Sequence, residues 1–218
     1  KPNNNKSYFD LSLIELLLGE YENGLNNFEY RYKQINTPCF NAIPSIERID
    51  NLILEKGVKL LIVSEQGLGD TLQFMRYVPY LRNQGLEISF CAQTKLHSLI
   101  KASGIDPNPL TPEEVNTLSE GQWIPLLSLP RYLKVNPKNP IISQPYIFST
   151  NELIEKWKNF LKEEKRPIIG INWQGNPNAE KGSQKGRSFA LETFSYIARD
   201  INLKFLSLQK GFGSEQIE

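Results

Sequence analysis

Five polar or glycine residues near the first third of the chain have the types and spacing to do chemistry. Glu65, Gln66, Gly67, Gly69 and Asp70 follow the apolar run Leu60-Leu61-Ile62-Val63 and precede a helical pattern. Glycines at such a turn let a backbone approach a ligand with no Cβ in the way. Asp70 falls where a helix N-cap belongs, so its carboxylate can accept from free N–H groups or serve as a base toward a bound hydroxyl. Glu65 and Gln66 can orient a substrate or hydrogen-bond the turn itself. The ligand chemistry this suits is an anion or a network of sugar hydroxyls. A second group lies near the end of the chain, in Trp173-Gln174-Gly175-Asn176-Pro177 and in Arg187-Ser188. Arg187 can grip a phosphate, or can be one solvated cation beside Lys181 and Lys185. Trp173 reads better as a half-buried core residue than as a stacking platform.

Two common nucleotide loops fail at named residues. A nucleoside-triphosphate P-loop needs Gly-Lys-Ser/Thr, and no lysine follows Gly69. A dinucleotide loop needs a third small residue where Leu72 stands. It also needs an acid after the next strand, which ends Phe90-Cys91-Ala92-Gln93. The single histidine, His97, and the two separated cysteines, Cys39 and Cys91, offer no metal-ligand spacing. No cofactor is expected. Cys91 closes an apolar run and is expected in the core.

The elements that must position these residues alternate in type. Tyr8, Leu11, Ile14 and Leu18 fall at helical spacing, Gly19 ends that helix, and a second helix runs from Tyr21 to Tyr32. A short helix is expected over Ser45 to Leu54. After the glycine turn comes a helix from Thr71 to Asn83, with Leu72, Met75, Val78 and Leu81 on one face and a kink at Pro79. Leu86 to Ala92 is a strand, Lys95 to Ser103 a helix, Glu113 to Ser119 a short helix and Trp123 to Leu129 a third strand. Residues 130–145 read as irregular. Strand and helix alternating in this way indicate a parallel sheet with right-handed crossovers. A second cycle follows, with a helix over Asn151 to Lys165, a strand from Pro167 to Trp173, a helix from Leu191 to Asp200 and a strand from Leu203 to Leu208. The second α/β unit is expected to be incomplete and the chain to be part of a longer protein.

The chain has 218 residues, of which 39% are hydrophobic, and a formal charge of +1. That balance excludes a general nucleic-acid or membrane-surface binder, which needs a large basic excess. No stretch approaches the roughly 20 apolar residues of a membrane span. A cytoplasmic setting is expected from the isolated cysteines.

The blocks together resemble a known family. Glu65-Gln66-Gly67-Leu68-Gly69-Asp70-Thr71-Leu72-Gln73-Phe74 with Tyr77-Val78-Pro79 is similar to the glycosyltransferase-like module that follows tetratricopeptide repeats in bacteria. Leu126-Leu127-Ser128-Leu129-Pro130, Trp173-Gln174-Gly175-Asn176-Pro177 and Arg187-Ser188 continue the pattern in order. Tyr8, Leu11, Gly19, Tyr21, Gly24 and Phe28 fall at the spacings of one tetratricopeptide repeat, with departures in residue type at Glu15, Gly24 and Arg31. The module is in turn similar to the bacterial heptosyltransferases.

The resemblance implies a GT-B arrangement of two Rossmann-like α/β domains. Its divisions are a tetratricopeptide-like helix pair over 1–35, a linker over 36–57, a first Rossmann-like domain over 58–150 and a truncated second one over 151–218. It implies metal-independent, inverting transfer from a nucleotide-sugar donor to a sugar, lipid or peptide acceptor. Asp70 would be the catalytic base, and Glu65, Gln66, Gly67, Gly69, Thr71 and Gln73 would meet substrate. Arg187 (where lysine is more usual), Ser188, Trp173, Gly175 and Asn176 would hold the donor phosphates. The alternative is a non-catalytic scaffold whose repeat-like helices recruit a protein partner.

Overall fold

The computed structural model describes residues 4–34, 39–49, 55–180, 186–198 and 202–217. The chain divides into two compact units, residues 1–150 and 151–218. The first is built on a four-stranded sheet in the order β1-β4-β2-β3, from β1 (Glu47–Arg48), β2 (Lys59–Val63), β3 (Glu87–Cys91) and β4 (Gln122–Pro125). All three pairings are parallel.

Side chains alternate across this sheet as the two-residue period requires. Leu60, Ile62, Phe90 and Ile124 join one core cluster, with Met75, Val78 and Leu81 of the covering helices. Leu61, Val63, Cys91 and Trp123 join another on the opposite face, with Val115. Both faces are covered, which is why β2 reads as an unbroken apolar run.

The covering helix on the first face is two helices, α3 (Leu68–Phe74) and α4 (Tyr77–Asn83). The expected single helix breaks at Met75-Arg76 rather than at Pro79. The proline ring clashes with the carbonyl four residues back, and that carbonyl belongs to Met75. α5 (His97–Ala102) ends at Gly104, whose φ is 67°. α6 (Pro112–Val115) opens with a capping box in which Thr111 N–H donates to Glu114 Oε2 at 2.7 Å. β4 stops at Pro125 instead of reaching Leu129, because the chain enters a helical turn that leads into α7 (Leu129–Tyr132). The helix expected from Ser45 is replaced over Glu47–Arg48 by β1, which pairs with Gln122 and Trp123. Residues 50–54 of that expectation lie outside the described residues.

A helical hairpin packs on this sheet. α1 (Asn5–Leu18) ends at Gly19 in the left-handed region, and α2 (Tyr21–Phe28) runs on into a 3-10 turn over Glu29–Lys33. A Cβ on Gly24 would lie 2.8 Å from Leu16 Cγ, so the two helices meet where only glycine fits. The expected apolar face of α1 is not its buried face. Leu11, Ile14 and Leu18 are exposed, while Ser12 and Glu15 are buried, and Glu15 Oε2 accepts from Asn27 Nδ2 at 2.9 Å.

The hairpin is fixed to the sheet by a buried polar network. Arg31 is 2% exposed and Glu65, just past β2, is 0% exposed. Arg31 donates to Glu65 through Nε at 3.3 Å and Nη2 at 3.0 Å, and to Ser128 Oγ at 2.9 Å. Glu29 Oε1 lies 2.7 Å from Arg31 Nη1. Burial works against the Arg31 charge, but its neighbours Tyr32, Glu65 and Glu29 outweigh it and raise its pKa. Burial also pushes the Tyr32 hydroxyl up, so it stays protonated and donates to Glu65 Oε1 at 2.7 Å.

The second unit holds α8 (Asn151–Leu161) and a parallel pair of strands, β5 (Ile168–Ile171) and β6 (Lys204–Ser207). α9 (Pro177–Glu180) and α10 (Ser195–Ala198) are single turns. Leu153, Ile154, Trp157 and Phe160 of α8 are exposed, and the buried apolar residues described are Ile171 and Trp173.

Two measurements test this frame. Removing one partner of a buried ion pair costs about 3–5 kcal/mol, because the other charge is left unpaired. Arg31→Met is expected to lower the first unit's urea stability by about that amount. Arg31→Met combined with Glu65→Leu should recover part of it, since no orphan carboxylate remains at that point. Burial pushes the Cys91 thiol from 9.0 up to about 11. Its contribution to stability is therefore present below about pH 9 and lost as pH rises toward 11. At pH 8, N-ethylmaleimide should modify exposed Cys39 and spare Cys91 until the protein is unfolded.

Candidate functional site

β2 has β3 on one side and β4 on the other, so the sheet's growth reverses at this strand. Ligands of open parallel sheets sit outside the carboxyl ends of strands at such reversals. The turn that leaves β2 is held on two sides. Ser64 N–H donates to Cys91 O at 2.9 Å, Asn41 N–H to Ser64 O at 2.9 Å and Gln66 N–H to Cys39 O at 3.1 Å.

The sharp bend falls on Gln66, with φ of 62°, and not on a glycine. Gly67 is extended, at φ −87° and ψ 167°, a conformation any residue adopts. Gly69 lies in the first turn of α3, and nothing would come within 4 Å of a Cβ placed there. The fold therefore has no need of glycine at 69, where alanine is the better helix residue.

Asp70 is half-buried in the first turn of α3, whose N-cap is Gly67. It stands three residues past the cap position expected for it. Its Oδ2 accepts the Gly67 N–H at 3.0 Å, the return half of a capping box whose other half glycine cannot supply. Thr71 is buried, and its hydroxyl donates to Gln93 Oε1 at 2.8 Å. Gln93 Nε2 donates in turn to Gln66 O at 3.4 Å. Gln93 stands where a dinucleotide loop would need an acid, and its bridging role depends on strand pairing that spacing does not reveal.

Gln73 is exposed and accepts from Arg76, through Oε1 at 2.9 Å and through its carbonyl at 2.7 Å. Glu65 is the residue the structure removes from the surface. Its carboxylate is inside, taken by Arg31, Tyr32 and the Leu127 N–H at 3.3 Å. Gln66, Gly67, Gly69, Asp70 and Gln73 thus form the exposed or half-exposed turn, with Thr71 and Gln93 beneath it.

The second unit gathers its own group. Gly175 N–H donates to Ser188 Oγ at 2.9 Å, and the Ser188 hydroxyl is bonded to Glu180 Oε1. Asn176 Oδ1 accepts from Asn178 N–H at 3.0 Å and so opens α9. Arg187 is exposed beside Ser188, while Lys181 and Lys185 lie outside the described residues. Trp173 is 1% exposed and its indole N–H donates to Gly213 O at 3.2 Å, so it is a core residue with no face to offer a donor.

Gln209 was not anticipated. Its Oε1 accepts from Trp173 and Gln174 N–H at 3.2 and 3.0 Å, and its Nε2 donates to Gln174 O at 3.0 Å. This repeats the first unit at the same offsets. Gln66 and Gln174 each stand three residues past the end of a strand, β2 and β5, and each precedes a glycine. Gln93 and Gln209 each stand two residues past the end of the adjacent parallel strand, β3 and β6, and each donates to that turn's glutamine carbonyl.

A left-handed conformation costs a side-chain-bearing residue about 1–2 kcal/mol, against about 0.5–1 for ordering a glycine. Gln66→Gly is accordingly expected to raise urea stability by about 0.5 kcal/mol, and Gln66→Val to lower it. Comparison of the chain with models of known families, with curated proteins and with solved structures finds no significant match.

Proposed function

We propose that this protein is glycosyltransferase-like, with its two α/β units serving the acceptor and the nucleotide-sugar donor of a GT-B-type enzyme. The observation that carries this reading is the matched pair of Gln–Gly turns, each clamped by a glutamine from the neighbouring strand. A transfer between two substrates needs a place for each, and each unit offers one such loop. On this reading the hairpin is a tetratricopeptide-like appendage.

The mechanism is a direct displacement. The Asp70 carboxylate takes the proton of the acceptor hydroxyl as its oxygen attacks the anomeric carbon. The bond to the donor diphosphate breaks, the configuration inverts, and the nucleoside diphosphate leaves; within the second unit Arg187 is the cation whose chemistry suits a diphosphate. Gly67 and Gly69 leave the backbone open where the acceptor would lie, which gives Gly69 the purpose that helix stability does not.

A second reading, a protein-interaction scaffold, is favoured by the outer surface of α1, where Leu17 is 87% and Leu18 69% exposed. A panel of nucleotide sugars with the full chain separates the two. Thermal shift, donor hydrolysis or transfer with one donor supports the enzyme, and none with any donor supports the scaffold. For the enzyme, Asp70→Asn should cut transfer by about 10²–10⁴-fold without loss of donor binding. Gly69→Ala should stabilise α3 by about 0.5–1 kcal/mol while lowering kcat/KM. Undiminished transfer in the more stable Gly69→Ala protein would remove the role given to that turn.

A further inference from the structure

The groups around Asp70 form one directed chain of hydrogen bonds. Buried Thr71 donates its hydroxyl to Gln93 Oε1 at 2.8 Å. Gln93 Nε2 donates to the Gln66 carbonyl at 3.4 Å. The same peptide unit carries the Gly67 N–H, which donates to Asp70 Oδ2 at 3.0 Å. All three donors point the same way along the chain, which ends on the carboxylate. It closes into a ring because Asp70 and Thr71 are neighbours in α3. Hydrogen bonds in such a series polarise one another, so each strengthens the next.

Gln93 is itself held. It stands two residues past β3, and its carbonyl accepts the Leu96 N–H at 2.8 Å where a 3-10 turn over Thr94–Leu96 begins. Its side chain therefore reaches the Gln66–Gly67 turn from the sheet. The peptide it meets has left-handed Gln66 on one side and extended Gly67 on the other. A peptide unit is planar, so fixing its carbonyl fixes the direction of its N–H. Among the described residues, that N–H is the hydrogen-bond partner of Asp70 and leaves Oδ1 open.

We propose, resting on the reading of Asp70 as the base, that Gln93 is the positioning residue of the transfer step. It holds the Gln66–Gly67 peptide so that the Gly67 N–H fixes Asp70 Oδ2 and Oδ1 is left to take the acceptor proton. Gln93 touches no substrate and acts only through that peptide. A base must lie within hydrogen-bond reach of its proton, and a misplacement of about 1 Å costs on the order of 10²-fold in rate. Glutamine meets the need because one side chain both accepts and donates. Glutamate at 93 would still accept from Thr71 but would face the Gln66 carbonyl without a donor.

The full chain carrying Gln93→Glu, Asp70→Asn or both tests this, with Thr71→Val as a second, shape-preserving break in the chain. The first readout is the Gly67 amide proton resonance, which needs no turnover. Asp70→Asn removes the charged acceptor and should move it upfield. Gln93→Glu should move it the same way, and the double variant should move it by less than the sum. The second readout is transfer kinetics. Gln93→Glu should lower kcat about 10- to 100-fold with donor KM changed by less than about twofold, and should add nothing to the loss in Asp70→Asn. Thr71→Val should show a smaller effect of the same kind in both readouts, and circular dichroism checks that each variant is folded. A Gly67 resonance unmoved in folded Gln93→Glu and Thr71→Val overturns the proposal. Undiminished kcat in Gln93→Glu, or losses that multiply in the double variant, overturn it equally. Coupled resonances in a protein that transfers from no donor uphold the positioning of Asp70 and overturn only the transfer reading.

Discussion

The buried pairing of Arg31 with Glu65 is the constraint on which the first unit depends. Each charge removed from water costs several kcal/mol, and only close partners with further hydrogen bonds offset that. Here the partners come from three places far apart in sequence: the 3-10 turn after α2, the end of β2 and Ser128 after β4. The hairpin cannot lift away without leaving Glu65 buried and unpaired. It is therefore part of the first unit in energy as well as in space, and Arg31 is the residue that fixes it there.

The same anchoring explains the geometry of the turn. With Glu65 drawn inward and Gly67 already extended toward α3, the reversal must happen in the single residue between them. Gln66 accepts a left-handed backbone because both flanks are fixed, through Cys39 and Asn41 on one side and Gln93 on the other. Strain of this kind persists only where the surroundings over-determine it. The consequence is a fixed turn that exposes Gln66, Gly67, Leu68 and Gly69 beside the half-buried Asp70 carboxylate.

What was legible in the sequence were the features with local causes. The apolar runs of β2 and β3, the helix stops at Gly19 and Gly104, the buried Cys91 and the parallel order all follow from patterns of a few residues. β1 was not legible, because Glu47-Arg48 has no strand propensity and is extended only through its pairing with Trp123. α1 misled for the opposite reason. Its leucines have helical spacing, yet the face that packs is set by Gly24 and by the Glu15–Asn27 bond. Of the candidate site, the turn and Asp70 could be located. The fate of Glu65 could not, since its partner lies 34 residues earlier in sequence.

The glutamine clamps extend that argument to both units. A loop leaving a parallel strand has carbonyl and amide groups that the ladder no longer pairs, and buried ones must find partners. Glutamine suits this position because one side chain carries both a donor and an acceptor. In the first unit Gln93 uses its oxygen for Thr71 and its nitrogen for the Gln66 carbonyl. In the second, Gln209 uses its oxygen for two amides and its nitrogen for the Gln174 carbonyl. The acceptor duty differs while the donor duty is the same, so the shared element is the fixed carbonyl of the Gln–Gly turn. Holding that carbonyl fixes the peptide plane to the following glycine, and with it the direction of the glycine's N–H. In one unit that N–H is taken by Asp70, in the other by Ser188. Two side chains of different chemistry, a carboxylate and a hydroxyl, thus accept the equivalent glycine N–H in the two units.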